Sequence, residues 1–489
     1  MDDTIAAIST PPGEGGIGII RLSGKGAIAI ADDLFVCGKG DTGGKGAKLE
    51  KCGKAASSIA SHSVTYGHIM DGQEVLDEVI LTIMRAPHSY TREDVVEINC
   101  HGGLMPLRRV LDAVLRGGAR LASPGEFTLR AYLNGRIDLT QAEAVCDVIR
   151  ARTQQSAAVA FQQLSGGLSQ RLDAISDSLV RVCAHVEAYI DFPDEDIEPS
   201  TYEEILNHLH GLRGDLSELS STYERGRFLR EGLSVAIAGR PNVGKSSLLN
   251  ALVQRDRAIV TAFPGTTRDT IEEYINVEGI PVRIIDTAGI RAAADDPAEC
   301  EGVNRSIMAI EAADLVLVVF DGTQDALMDE DISVIDKASA KTVIAVINKA
   351  DLPIVLSSQI IRDAFKGDLP IVTLSAKTGQ GLEGLRQAIF DLTMRCGCTS
   401  DKRCGGPCDK KGVLDSREGV LITNIRHKTA IDNTISALTQ AINCLRGNTP
   451  IEITALELRS ALNYIGEITG VVTATDILNK IFSDFCIGK

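Results

Sequence analysis

Ser234-Val-Ala-Ile-Ala-Gly-Arg-Pro-Asn-Val-Gly-Lys-Ser-Ser-Leu-Leu-Asn250 is the stretch on which the architecture of this 489-residue chain turns. Its opening run, 234–239, is apolar or small without polar alternation, as in a strand covered on both faces. It leads into Gly239-Arg-Pro-Asn-Val-Gly244-Lys245-Ser246, which fits the phosphate-loop pattern GxxxxGK[ST], and a helical segment follows. Strand, glycine loop and helix in that order give the pattern its meaning. Glycines let the backbone wrap an anion, while loop N–H groups and the helix N-terminus stabilise its charge. Lys245 is expected to reach the β- and γ-phosphates, and Ser246 to bind Mg²⁺.

Four further apolar runs follow: 282–289, 314–322, 342–351 and 370–377, with helix-like spacers between several of them. Unbroken apolar strands alternating with helices predict a doubly wound, mostly parallel sheet. Three of these runs end in polar motifs. Asp286-Thr287-Ala288-Gly289 suits a Mg²⁺-associated Asp and a γ-phosphate-sensing Gly. Asn348-Lys349-Ala350-Asp351 suits a guanine site, because the Asp351 carboxylate accepts from N1–H and N2–H₂, donors that adenine lacks in that geometry. Ser375-Ala376-Lys377 ends the last strand. Four motifs in order predict a GTP-binding domain resembling the translation-factor-related GTPases. Its expected contacts are Asn242, Val243, Gly244, Lys245, Ser246 and Ser247, then Thr261, Ala262, Phe263, Pro264, Gly265, Thr266 and Thr267, together with the three later motifs.

The hydrolysis machinery departs from the Ras type. Ile290 stands where Ras-like proteins carry a water-orienting Gln, and it cannot hydrogen-bond. The loop Pro297-Ala-Glu299-Cys-Glu301-Gly302 offers two carboxylates instead. Thr261–Asp269 beside Asn242 is suited to hold a monovalent cation near the β–γ bridge, where it would stabilise charge as an arginine finger does. The plainer reading is that Asn242 caps the phosphate loop.

Outside this region the chain changes character. Residues 17–22 and 79–84 read as strands, 105–116 as a helix stopped by Gly117-Gly118, and 37–63 as a long loop or insertion. Helical spacing runs over 140–165, 168–190 and 202–229, and resumes after about 413. The expected organisation is therefore an α+β domain (1–122), a helical domain (123–231), an inserted GTPase domain (232–394), a cysteine-bearing linker (395–412) and a second helical part (413–489). No run of 18 apolar residues reads as a membrane span, and the acidic start lacks a signal segment, so a cytoplasmic location is expected. Twelve cysteines are then read as free thiols. Cys396, Cys398, Cys404 and Cys408 have enough thiols for Zn²⁺ but lack a familiar spacing; a plain linker is the alternative. The net charge of −16 argues against coating nucleic acid through bulk positive charge.

Taken whole, the chain resembles the TrmE/MnmE family of tRNA-modification GTPases. The resemblance rests on TPPGEGGIGIIRLSG (10–24), SYTREDVVEINCHGG (89–103), SPGEFTLRAYLNGRIDLTQAEAV (123–145), DFPDEDIE (191–198), PGTTRD (264–269) and the terminal Cys486-Ile-Gly-Lys489. It implies a tetrahydrofolate-binding N-terminal domain, a helical domain assembled from both sides of the insertion, and GTPase domains that pair across a potassium ion. It implies a homodimer that works with the flavoprotein MnmG (GidA) as a heterotetramer. Methylene- or formyl-tetrahydrofolate would supply carbon for a group on C5 of the wobble uridine of certain tRNAs. The K⁺ ligands implied are Asn242, Thr261, Phe263 and Thr266; the Mg²⁺ ligands are Ser246 and Thr267. Glu299 is favoured over Glu301 as the water-orienting carboxylate. Arg21, Glu97, Arg136 and Lys489 are the implied folate contacts, with Arg136 where the family often has Lys. Cys486 is the implied catalytic thiol, as nucleophile, redox group or positioning group; a structural thiol and a poorly fitting prenylation box are the alternatives. The acidic balance adds the expectation that the chain alone binds tRNA weakly. A ribosome-assembly GTPase and a nucleotide-switched scaffold are the competing functions.

Overall fold

The computed structural model describes residues 3–37, 56–191, 199–256, 273–286, 308–395, 419–447, 449–472, 475–483, 485–486 and 488–489. These fall into two compact units, one formed by residues from 1–146 and 469–489, the other by residues from 147–468.

The first unit is α+β. Strands β1 (Ile5–Ile8), β2 (Gly15–Ser23), β3 (Phe35–Cys37), β4 (Ser63–Asp71), β5 (Glu74–Met84), β6 (Val95–Gly102) and β7 (Arg120–Leu121) form one sheet in the order β3-β4-β5-β6-β2-β1-β7. Helices α1 (Ala27–Leu34) and α2 (Leu104–Arg116) cover one face. Alternation decides which side chains go there: Ile20 and Leu22 enter the core beneath the helices with Ile98 and Val110. Arg21, between them in the pleat, belongs to the opposite face. There Ile5, Ala7, Ala122 and Phe127 form a smaller cluster with Tyr90. Helix α3 (Glu126–Leu133) starts at Gly125, whose φ of 69° is left-handed. A Cβ at Gly125 would collide with the Phe482 backbone, so the glycine lets the C-terminal segment pass close over the turn.

The second unit contains the helices α5 (Gln154–Leu164), α6 (Gly167–Asp191), α7 (Pro199–Ser221) and α8 (Tyr223–Glu231), preceded by α4 (Leu139–Arg150), which spans the boundary. One apolar core combines Leu168, Leu179, Leu209 and Leu216 with Ile422, Leu438, Leu458 and Ile465. Helical residues from before and after the GTPase segment thus share one interior. The spacing read as continuous over 140–165 is interrupted: Thr153 is extended (φ −128°, ψ 160°) and its side chain accepts from the Ser156 N–H, capping a new helix. The spacing over 202–229 likewise divides at Thr222 between α7 and α8.

Between these helical segments lies a six-stranded sheet. Its strands are β8 (Leu233–Ala238), β9 (Glu273–Val277), β10 (Ile280–Asp286), β11 (Leu315–Asp321), β12 (Thr342–Asn348) and β13 (Ile371–Thr373), in the order β13-β12-β11-β8-β10-β9. All pairs are parallel except the β9–β10 hairpin. Strand β11 shows why the apolar runs lack alternation. Leu315, Leu317 and Val319 enter one core layer, and Val316, Val318 and Phe320 enter the other. This is the doubly wound domain anticipated from the sequence. No helix among the described residues is long and apolar enough to cross a membrane.

Candidate functional sites

The parallel sheet delivers three of the four nucleotide motifs to one edge as described backbone and side chains. The phosphate loop links β8 to α9 (Lys245–Asp256). Gly239 (φ 152°), Asn242 (φ 65°) and Gly244 (φ 98°) take backbone conformations that side chains resist, which turn the chain sharply enough to aim its N–H groups inward. A Cβ on Gly239 would strike the Val319 carbonyl, and one on Gly244 the Asn348 amide. Buried Asn348 is the clamp: its Nδ2 donates to the Val243 carbonyl (2.8 Å), and its Oδ1 accepts from the Ala376 N–H (2.9 Å). It therefore ties the phosphate loop to the Ser375-Ala376-Lys377 loop. Lys349, left-handed at φ 68°, pairs with Asp321 (2.7 Å). Asp351 is exposed and accepts from the Ser375 hydroxyl (2.7 Å), which holds its carboxyl below the usual range. An ionised, oriented, acceptor-only group at this point matches guanine N1–H and N2–H₂.

Lys245 donates to the carbonyls of Gly239 (2.8 Å) and Arg240 (2.9 Å), bending over its own loop. Ser246 and Ser247 are exposed in the first turn of α9. A hard hydroxyl oxygen there suits Mg²⁺, and the exposed, left-handed Asn242 has a side-chain oxygen suited to K⁺. Asp286 ends β10, beside Ile237 of β8. Thr261, Ala262, Phe263, Pro264, Gly265, Thr266, Thr267, Thr287, Ala288, Gly289 and Glu299 lie outside the described residues, as do Cys396, Cys398, Cys404 and Cys408. Among the described residues no group of three or more His, Cys, Asp or Glu is arranged to hold a metal ion. Cys37, Cys100, Cys146, Cys183, Cys444 and Cys486 are free thiols.

The second site is on the sheet face opposite α1 and α2 in the first unit. Register sets its centre: Arg21 on β2 lies opposite Glu97 on β6. Their side chains pair through Nε (2.8 Å) and Nη2 (2.7 Å), both to Glu97 Oε1. The Arg21 guanidinium also lies 5.8 Å from the ring centroids of both Tyr90 and Phe127. Burial raises the Tyr90 pKa, and its hydroxyl shares a 2.8 Å hydrogen bond with Thr128 of the PGEFT segment. Arg136 covers the Tyr90 ring at 4.7 Å and donates to the Tyr90 carbonyl.

The C-terminus completes this site. Arg21 Nη1 donates to the Gly488 carbonyl at 3.4 Å. Gly488 is left-handed (φ 95°), and a Cβ there would meet the Ile8 carbonyl, so only glycine fits so close to β1. Lys489 is half-buried. Burial first, then the Arg21 charge, lowers its pKa, with Cys486 and Glu97 acting in the opposite sense. The Cys486 thiol is exposed, and its carbonyl accepts from the Lys489 N–H. Arg21, Glu97 and Lys489 therefore lie together, and Arg136 joins them through the Tyr90 ring that it shares with Arg21. A carboxylate for pterin N–H groups, cations for a carboxylate tail and an aromatic surface fit a folate.

A glycine-shaped phosphate loop and an oriented acceptor for guanine define a P-loop GTPase. A model of the TrmE N-terminus, described as GTP-binding protein, matches residues 4–136, and one of the MnmE helical domain matches 139–486. Full-length similarity extends to the tRNA modification GTPases MnmE of Moorella thermoacetica (46% identity over 495 residues) and Alkaliphilus oremlandii (42% over 491), covering 100% of both chains in each pair. Among solved structures, the G domain of the T. maritima FeoB iron transporter aligns with 32% of this chain and 97% of its own, at 26% identity and a TM-score of 0.25. The chain belongs to the MnmE family of tRNA modification GTPases.

Sequence reasoning did not single out Tyr90, Phe127 or Thr128 at the second site. Each lies inside a family segment, but cation–aromatic contact depends on strand register and on the α3 turn, which short motifs do not encode. Gly125 and Gly488 carried a local signal, as glycines in PGEFT and CIGK, without indicating that the C-terminal segment passes over Gly125 and, at Gly488, packs against β1.

Proposed function

We propose that this GTPase installs an aminomethyl or carboxymethylaminomethyl group on C5 of the wobble uridine (U34) of certain tRNAs. It acts in the cytoplasm as a homodimer with the flavoprotein MnmG in a heterotetramer. Lys245, Ser246, Thr267 and the Asp286–Gly289 motif handle the Mg²⁺-bound phosphates, and Asn348, Lys349, Asp351 and Ser375–Lys377 read guanine. Asn242, Thr261, Phe263 and Thr266 hold K⁺ when two GTPase domains meet, and Glu299 orients the attacking water. The domain limits proposed are 1–122, 123–231, 232–394, 395–412 and 413–489. Arg21, Glu97, Arg136 and Lys489 bind a methylene- or formyl-tetrahydrofolate, which supplies the one-carbon unit when bound. Cys486 stands beside that unit.

The observation that carries this reading is the meeting of the C-terminal Gly488-Lys489 with the Arg21–Glu97 pair. A switch or scaffold needs no such cluster, and neither does a ribosome-assembly GTPase. Mass spectrometry of tRNA from a deletion strain should show loss of the C5 substituent at U34, restored by the wild-type gene. Complementation by Cys486→Ser should fail while the purified variant hydrolyses GTP at nearly the wild-type rate. An unchanged modification profile in the deletion strain defeats the proposal.

The cation assignment has its own measurement. Hydrolysis in potassium should exceed that in sodium by at least about tenfold, since a fixed positive charge at the β–γ bridge acts on the transition state. Equal rates in the two salts would remove K⁺ from the site.

A further inference from the structure

Around Tyr90 and Arg136 lies an open hollow of about 520 Å³, lined also by His62, His88 and Arg92, and no carboxylate lines it. That size falls within the range of small-molecule sites. Arg92 Nη1 donates to the Asn134 carbonyl (2.9 Å), and Arg136 to the Tyr90 carbonyl (3.2 Å). Among the described residues neither guanidinium meets a carboxylate. Elsewhere in the same unit, Arg109, Arg116 and Arg120 pair with Glu74, Asp71 and Asp3. Arg92 and Arg136 are both exposed, so their charges are open to a bound anion. Arg92 is also left-handed (φ 58°), a conformation that costs a non-glycine residue about 1 kcal/mol or more. The Asn134 amide holds it there by donating to the Thr91 carbonyl (2.7 Å).

The hollow and the proposed folate contacts share Tyr90 and Arg136. The Tyr90 ring centroid is 5.8 Å from the Arg21 guanidinium carbon and 4.7 Å from that of Arg136, so those carbons are at most about 10.5 Å apart, the sum of the two distances. A ligand whose pterin faces Glu97 and whose first carboxylates reach Arg136 would therefore extend into the basic hollow that Arg136 lines. Folates are extended by γ-linked glutamates, each adding a carboxylate, and guanidinium groups pair with carboxylates bidentately. We propose that the Arg92–Arg136 cavity takes the poly-γ-glutamate tail of the bound tetrahydrofolate. The inference rests on the folate reading above. A tRNA phosphate is the other polyanion to weigh. The hollow is lined by two arginines and two histidines, not by an extended basic stripe, and the chain carries a net charge of −16.

The test is calorimetric titration of the full chain with 5-formyl-tetrahydrofolate bearing one or five glutamates. At low salt the pentaglutamate should bind about five- to tenfold more tightly, as expected for a few solvent-accessible ion pairs, and the difference should shrink in high salt. In Arg92→Gln/His88→Gln the advantage should fall below about twofold with monoglutamate binding retained, and Arg92→Lys should keep part of it. Equal binding of the two ligands by the wild type overturns the tail site but leaves the folate reading standing. No binding of either overturns both. An equal loss for both ligands in the double variant, or a retained pentaglutamate advantage with weakened tRNA binding, also overturns the tail site.

Discussion

Asp351→Asn should lower the affinity for GTP on the order of 100-fold or more and create affinity for xanthosine triphosphate. Asp351 is an ionised acceptor, positioned by the Ser375 hydroxyl at 2.7 Å. Guanine offers it two donors, N1–H and N2–H₂. An amide can accept from one of them only by turning its own N–H toward the other, so a donor faces a donor and both lose their partner. A site built to hydrogen-bond rejects a mismatched pair far more strongly than an apolar site rejects a changed shape. Xanthine carries an oxygen at C2 and accepts where guanine donates, which restores the match with Asn. The Asn348 clamp between the Val243 carbonyl and the Ala376 N–H is untouched, so the phosphate loop keeps its support. Titration with fluorescent GTP and XTP analogues separates the outcomes. Undiminished GTP binding would show that Asp351 does not read the base; loss of both nucleotides would indicate damage to the loop instead.

How far this chemistry was legible in the sequence depends on the range of the interactions. The nucleotide-binding fold was legible because its signals are local. A buried parallel strand announces itself by unbroken apolarity, as in Leu315–Asp321, and the loops at strand ends carry short motifs whose geometry the sheet repeats. Helix ends were less legible: the break at Thr153 depends on one hydroxyl capping one N–H, inside a segment whose apolar spacing continues across it. The proposed folate site was legible only through family resemblance. Its components sit on β2, on β6, in the 85–94 loop, on α3 and at the chain's end, and no spacing rule connects residue 21 to residue 488. What unites them is register, which places Arg21 against Glu97, and two left-handed glycines that permit close backbone approach.

Arg130→Met should destabilise the first unit by about 3–5 kcal/mol, the usual cost of removing one partner from a buried ion network. Arg130 is 1% exposed. Its Nη1 donates to Glu93 Oε2 (3.1 Å) and to the Asp3 carbonyl (3.0 Å), and its Nη2 to Asp3 Oδ1 (2.8 Å) and Glu126 Oε1 (3.1 Å). Glu93 also accepts from Ser23 (2.7 Å), and Glu126 from Arg120 (2.6 Å) and the Ser123 N–H (2.9 Å). One guanidinium thus joins the chain before β1, the 85–94 loop and α3. Methionine fills much of the volume but leaves Glu93 without its cation. At roughly 2–4 °C per kcal/mol for a unit of this size, the melting transition should fall by about 10 °C. The pH dependence supplies an internal check. Hydrogen bonding to Arg120 lowers the Asp3 pKa against the effect of burial. For Glu126, burial raises the pKa, but Arg120, the Ser123 N–H and Arg130 together outweigh it and leave it lowered. Carboxyls with lowered folded-state pKa values contribute stability above their unfolded values near 4, and that contribution is lost as pH falls through the folded-state values. The gap between wild type and variant should therefore be full at pH 6–7 and narrow below about pH 4. Arg130→Lys should be intermediate, because an ammonium keeps the charge without the fork. The loop that Glu93 anchors also carries Tyr90, so folate affinity should fall with stability. A variant as stable as wild type at pH 7, or a gap independent of pH, would show that the network does not hold this loop in place.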